Sequence, residues 1–145
     1  MGVLLYRCFL FFYRALARLF SYWSPKARLW VAGTGDAFRQ LEAGLQRSAD
    51  DRKGPFIWMH CASLGEFEQG RPLLEAVKAR FPAYRVVLTF FSPSGYEIRK
   101  HYPGADIVCY LPVDGSRNAR RFIELVSPKL VLWIKYEYWY YYLTE

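Results

Sequence analysis

The chain has 145 residues, 53% of them hydrophobic and 19% aromatic, with a formal net charge of +7. That length and apolar content are those of one folded domain with ample core material, which excludes a disordered tail. The charge is lopsided: Arg7, Arg14, Arg18, Lys26 and Arg28 all precede the first acidic residue, Asp36, which argues against a broad nucleic-acid-binding face and for a leader touching an anionic membrane surface.

Residues 3–23 are rich in Leu, Phe and Tyr, but arginine interrupts them repeatedly. No uncharged run approaches the roughly 20 apolar residues that a spanning helix needs. On a helix, Arg7, Arg14 and Arg18 fall within a sector of about 40°, while Leu4, Leu5, Phe9, Phe12, Leu16, Leu19 and Phe20 occupy other faces. The pattern predicts a helix lying in the membrane interface with its arginines toward the headgroups. The alternative is an ordinary surface helix packed on its own protein. No small-residue cleavage site follows an uninterrupted apolar core, so a cleaved signal peptide fits poorly. Pro25 is expected to close this helix. A second amphipathic stretch covers 36–47, with Phe38, Leu41 and Leu45 at helical spacing and Gly44 as a weak point, and 46–54 reads as a polar connector. The resulting organisation is a membrane-interface helix over 1–30, a helical connector over 31–54 and a compact unit over 55–145.

From residue 56 onward, apolar runs alternate with helical segments. Strands are expected at 56–60, 84–91, 107–110 and 130–134. Helices are expected from the turn after the first strand to about Arg80, from Pro93-Ser94-Gly95 to about His101, and from a cap at Asp114 or Ser116 to Pro128. Continuous apolar strands between helices imply an α/β fold, a Rossmann-like parallel sheet with helices on both faces. Four strands are few for such a sheet, and Tyr141-Tyr142-Leu143-Thr144-Glu145 reads as the start of another helix, so the chain is expected to be the first part of a larger protein.

Ligands of open α/β folds bind beyond the carboxyl ends of the strands, which directs attention to the strand-end turns. After the first strand, Ser63 and Glu66 have capping-box spacing, and Glu66 can equally serve as a base that takes a proton from a substrate hydroxyl. Pro72 conflicts with a helix running from Ser63, and a later helix start would leave Ser63-Leu64-Gly65-Glu66 as an exposed loop in which Gly65 lets the backbone approach a ligand. After the second strand, Ser92 and Ser94 either hold an anion or cap the next helix. Asp114 reads as an N-cap. After the fourth strand, Lys135 and Glu137 beside Trp139 can bind a polar, anionic ligand or form an ion pair at a protein interface. His60 reads as a hydrogen-bonded structural residue. Cys8, Cys61 and Cys109 lack paired spacing and read as free thiols, and no residue cluster suggests a metal site. There is no P-loop or dinucleotide fingerprint.

These blocks resemble the 3-deoxy-D-manno-octulosonic acid (Kdo) transferases of lipopolysaccharide assembly. The likeness is carried by His60-Cys61-Ala62-Ser63-Leu64-Gly65-Glu66, Arg71-Pro72-Leu73-Leu74-Glu75-Ala76, residues 89–95 with Glu97, Tyr110-Leu111-Pro112-Val113-Asp114, and Glu137-Tyr138-Trp139, in family order. The resemblance implies the N-terminal, acceptor-binding half of an inverting glycosyltransferase of GT-B architecture, on the cytoplasmic face of the inner membrane. Its donor would be CMP-Kdo, bound mainly by a C-terminal half, its acceptor a lipid A precursor, and no metal or other cofactor would be needed. Glu66 would be the general base and Glu137 a supporting glutamate, with Ser63, Gly65, Ser92 and Ser94 around the cleft and Lys135 a candidate for an acceptor phosphate. Lys135 and Tyr140 depart from the family's usual Glu and Pro at these positions, which marks a divergent branch. Residues 1–145 alone would turn over nothing. The rival reading is a non-catalytic, membrane-associated α/β binding or scaffold domain with Glu66 as a helix cap.

Overall fold

The computed structural model describes residues 2–51, 54–135 and 138–145. The elements run α1 (Gly2–Phe20), α2 (Pro25–Gly35), α3 (Ala37–Asp51), β1 (Phe56–Cys61), α4 (Leu64–Arg80), β2 (Arg85–Phe90), α5 (Pro93–Arg99), β3 (Ile107–Tyr110), α6 (Ser116–Val126), β4 (Pro128–Trp133) and α7 (Tyr140–Thr144). All strand pairs are parallel and the sheet order is β3-β2-β1-β4.

Strand alternation divides the core into two layers. Phe56 and Trp58 of β1, Val87 of β2, and Ile107 and Cys109 of β3 pack against Leu41 of α3, Phe122 and Val126 of α6, and Tyr142 of α7. Ile57, Met59 and Cys61, with Val86, Leu88 and Phe90, pack against Phe67 and Leu74 of α4 and the flanking Tyr96 of α5. Helices therefore cover both faces, as the apolar runs require. At the centre of the first layer Trp58 lies against the rings of Phe122 at 4.7 Å, Trp133 at 5.3 Å and Tyr142 at 5.7 Å. β4 is the edge strand beside β1, and Leu130 and Val131 on it are 39% and 42% exposed.

Before the sheet the structure departs from the sequence expectations. Pro25 opens a helix: it is the first residue of α2, and Ser24 is the N-cap, its Oγ accepting from the Ala27 amide at 3.3 Å. A proline stands comfortably at a helix start because its missing N–H would find no intrahelical partner there. The polar stretch 46–51 continues α3, and Leu41 of that helix is fully buried. Gly44 is the point of close approach to β3, where any Cβ would run into the Ile107 side chain. Asp114 is not the cap of α6: Gly115 occupies that position and no side chain caps the helix.

Candidate active site

The order β3-β2-β1-β4 reverses beside β1. The chain steps outward from β1 to β2 and β3, then returns to place β4 on the other side of β1. A crevice opens at such a reversal, at the carboxyl ends of the two strands involved. Here those ends are His60 and Trp133, which are register partners with rings 4.7 Å apart, and the pairing continues through the Ile134 amide, which donates to the His60 carbonyl at 3.1 Å. The turns that follow carry Ser63, Gly65 and Glu66 on one side and Lys135 on the other.

Glu66 stands in the first turn of α4. Ser63 is the N-cap with extended backbone, its Oγ accepting from the Glu66 amide at 3.5 Å, and Glu66 Oε2 accepts from the Ala62 N–H at 2.5 Å. The capping box is thus formed, displaced by one residue at its returning bond. The segment is a helix start, not the exposed loop expected from Pro72. Pro72 lies inside α4, where its lost hydrogen bond and ring clash cost about 3 kcal/mol. Phe67, Gly70 and Leu74 are buried around it, and burial of the two large side chains contributes roughly 1.5–3 kcal/mol each. At Gly70, α4 comes so close to the sheet that a Cβ would meet Met59 and Ile134. Local propensity gives way to packing.

That cap also positions the carboxylate. Glu66 is half-buried, and its second oxygen takes no hydrogen bond among the described residues. Gly65 beside it is exposed, has an ordinary negative φ, and a Cβ there would meet nothing within 4 Å. Nothing inside the fold demands glycine at this position, whereas a ligand lying against the turn would. The arrangement is a fixed carboxylate with one oxygen committed and one available to accept a proton from a hydroxyl.

The turn after β2 is tied to the same place. The Phe91 amide donates to the Cys61 carbonyl at 3.3 Å and the Ser92 amide to the Ala62 carbonyl at 2.7 Å. Ser92 caps α5, its Oγ accepting from the Ser94 amide at 3.3 Å and lying 3.0 Å from Ser94 Oγ. Trp139, beyond β4, packs on Phe91 at 4.9 Å. Lys135 is exposed and has a left-handed φ of 65°, uncommon for a residue with a Cβ. Glu137 lies outside the described residues. Ser63, Glu66, Ser92 and Ser94 are thereby gathered at linked strand ends, and Lys135 follows the neighbouring strand.

Beneath these turns a polar triad is buried. Thr89 Oγ1 accepts from the Trp58 indole N–H at 2.9 Å and lies 2.9 Å from His60 Nδ1. His60 is therefore hydrogen-bonded within the sheet, as its place in the sequence suggests. Thr89 stands at the head of the 89–95 block whose hydroxyls could hold an anion, but it lies within β2 and is fully buried, so its hydroxyl serves this internal network.

A second wall of the same sheet edge was not legible in sequence. α1 is docked on the domain through Leu10, which is buried, through Tyr13 against Trp30 at 5.3 Å, and through Tyr6, whose hydroxyl donates to Asp114 Oδ2 at 2.6 Å. The buried Asp114 carboxylate also accepts from the amides of Tyr141 and Gly115. Burial, and then the Asp114 carboxylate, push the Tyr6 hydroxyl well above its usual range. The Asp114 side chain is a latch joining α1, the β3 end and α7. The leader's arginines face the domain as well: Arg7, Arg14 and Arg18 line a groove against the start of α6. An opposite arc of α1 is left bare, with Leu5, Phe9, Phe12, Leu16, Leu19 and Phe20 all more than half exposed. No helix of the described residues is long and apolar enough to cross a membrane.

A sequence model of the family described as "3-Deoxy-D-manno-octulosonic-acid transferase (kdotransferase)" matches residues 37–145. Among curated proteins, the chain is similar to a 3-deoxy-D-manno-octulosonic acid transferase of Aquifex aeolicus, with 36% identity over 57% of this chain and 23% of that protein. It is similar to one of Chlamydia trachomatis serovar D, with 30% identity over 73% of this chain and 25% of that protein. Along 97% of its length it is 28% identical to one of Chlamydophila psittaci, covering 32% of the latter. The chain spans between about a fifth and a third of the length of the curated relatives it matches.

Proposed function

From a chain that belongs to the 3-deoxy-D-manno-octulosonic acid transferase family, we propose that the whole protein transfers Kdo from CMP-Kdo to a lipid A precursor, and that Glu66 is the general base. The observation that carries this is the Glu66 carboxylate just beyond the carboxyl end of β1, where the strand order reverses, pinned through Oε2 to the Ala62 amide beside the open space at Gly65. In the reaction an acceptor hydroxyl gives its proton to the free carboxylate oxygen while its own oxygen attacks the anomeric carbon of Kdo. The bond to CMP breaks in the same displacement, CMP leaves with the electron pair, and the configuration inverts. Positioned proton transfer of this kind contributes about 10²–10⁴-fold.

In this reading the chain is the acceptor-binding half of a two-domain GT-B enzyme, and the donor is held mainly by the other half. Residues 1–145 alone are inactive. Lys135 and Glu137 support the acceptor, and Ser92 and Ser94 border it. No resident metal or cofactor takes part, so EDTA leaves the rate of the whole enzyme unchanged. The bare arc of α1 rests on the cytoplasmic face of the inner membrane, where a lipid acceptor is presented.

The test is acceptor-dependent CMP release by the full-length wild type and its Glu66→Gln variant. Equal rates would remove Glu66 from the role of base, and a folded wild type without transfer to any lipid A precursor would remove the function. The second reading, a non-catalytic membrane-associated binding or scaffold domain, is favoured by the formed Ser63–Glu66 box, which gives Glu66 a structural task. It requires that full-length protein release no CMP.

A further inference from the structure

The groove between α1 and the start of α6 is an unneutralised basic site. It has a volume of about 660 Å³, and its lining includes Arg7, Arg14, Arg18 and Arg117. None of these four guanidinium groups forms an ion pair among the described residues; Arg28, Arg47, Arg80 and Arg85 form none either, but only the first four converge on this groove. Asp114, the acidic residue in the lining, has its carboxylate occupied by Tyr6, Tyr141 and Gly115. A smaller recess shares Arg14, Arg18 and Asn118 with the groove and is also lined by Trp30. Trp30 is 7% exposed, and its indole Nε1 has no acceptor among the described residues. The start of α6 adds the positive end of a helix whose first turn has no side-chain cap.

Four guanidiniums, an unpaired buried N–H and an uncapped helix start share a need for anionic oxygens. The neighbouring surface narrows the source. α1 carries these arginines along one side, with Phe11 beside them in the groove, and a bare apolar arc of Leu5, Phe9, Phe12 and Leu19 along the other. A soluble anion would use only the first of these surfaces, and an apolar partner only the second. An anionic phospholipid uses both.

We propose that this groove binds the phosphate headgroup of an anionic membrane phospholipid, whose acyl chains lie along the bare arc of α1. The inference deepens the membrane-docking reading above and rests on it. It assigns to Arg7, Arg14, Arg18 and Arg117 a defined headgroup site, so that docking fixes the sheet edge bearing Glu66 at the bilayer surface.

Flotation of the full-length protein with phosphatidylcholine vesicles, and with vesicles containing phosphatidylglycerol at one lipid in four, tests it. Wild type should prefer the anionic vesicles. An Arg7→Gln/Arg14→Gln/Arg18→Gln variant should lose about 100-fold in affinity for them, at about fivefold per basic residue near an anionic surface, while keeping its weaker affinity for the neutral ones. Arg117→Gln, on the separate helix α6, should lose about fivefold and guards against misfolding of the triple variant. The comparison variant Arg47→Gln/Arg80→Gln/Lys129→Gln removes equal charge from the opposite edge of the sheet, where α3 and α4 end and β4 begins, and should lose less than about fivefold. Equal losses in the two triple variants would overturn the site in favour of diffuse attraction. Stabilisation of wild type by inorganic phosphate, with no preference for anionic vesicles, would overturn the lipid assignment. Wild type that binds neither vesicle would instead overturn the membrane-docking reading itself.

Discussion

The two walls at the carboxyl edge of the sheet are built at different ranges. The Glu66 wall is closed by contacts within four residues, from Ser63 to Glu66 and from Glu66 back to Ala62. The α1 wall is closed by the Tyr6–Asp114 bond, which joins residues 108 positions apart. A local wall is written in consecutive letters and forms with its helix. A long-range wall exists only after the sheet has assembled, and its loss should release a whole helix.

The largest separation of the two comes from Glu66→Gln. The amide oxygen of Gln can still accept from Ala62, so the fold should hold while kcat of the full-length enzyme falls by about 10²–10⁴-fold, read from CMP release alongside an unchanged circular dichroism spectrum. Next is Asp114→Ala, which strands the Tyr6 hydroxyl and the Tyr141 amide and should lower stability by roughly 1–3 kcal/mol. Denaturant titration gives the value, and protease sensitivity appearing first in α1 would mark the latch. Should Asp114→Ala leave both unchanged, the long-range wall is held by other contacts. Ser63→Ala should cost only about 0.5 kcal/mol, the low end for an N-cap, because the cap bond is long at 3.5 Å.

The buried hydroxyls give a pH test of the same comparison. Burial raises the ionisation of Tyr6, Tyr110 and Tyr142 above the usual tyrosine range and pushes the Cys109 thiol up to about 12. Groups protonated more firmly in the native state stabilise it fully below their unfolded values, and that stability is lost as pH rises through the folded ones. Stability should therefore be flat near neutral pH, begin to decline above about 9, the ordinary thiol value of Cys109, and fall more steeply above about 10, the ordinary tyrosine value. Absorbance at tyrosinate wavelengths should show these residues ionising together with unfolding. By the same burial, iodoacetamide at neutral pH should label exposed Cys8 alone in the native protein, and Cys61 and Cys109 only after denaturation.

The sheet and its two helical layers were legible because each strand is an apolar run bounded by breakers, and α4 ends at Arg80 where its pattern fades. Glu66 was legible as a cap, and the structure forms that cap; its role as a base is the proposal above, for which the cap holds the carboxylate in place. Pro72 misled because the packing of Phe67 and Leu74 that outweighs it cannot be seen in a local window. Pro25 misled because a proline ending one helix and a proline beginning the next look alike in sequence. The partners of Asp114 and of the leader's arginines were illegible, since they depend on where α1 lies once β3 and α6 are in place.

Along β4, the outer rim of main-chain donors and acceptors has no strand beside it among the described residues, and Leu130 and Val131 stand open to solvent there. Such a rim is a template for pairing with any extended segment that reaches it. Covering it with a further strand would extend the sheet beyond β4, on the side away from β1. Left bare in concentrated solution, such an edge invites pairing between copies of this stretch, and Val131→Lys, at a position 42% exposed, should suppress it.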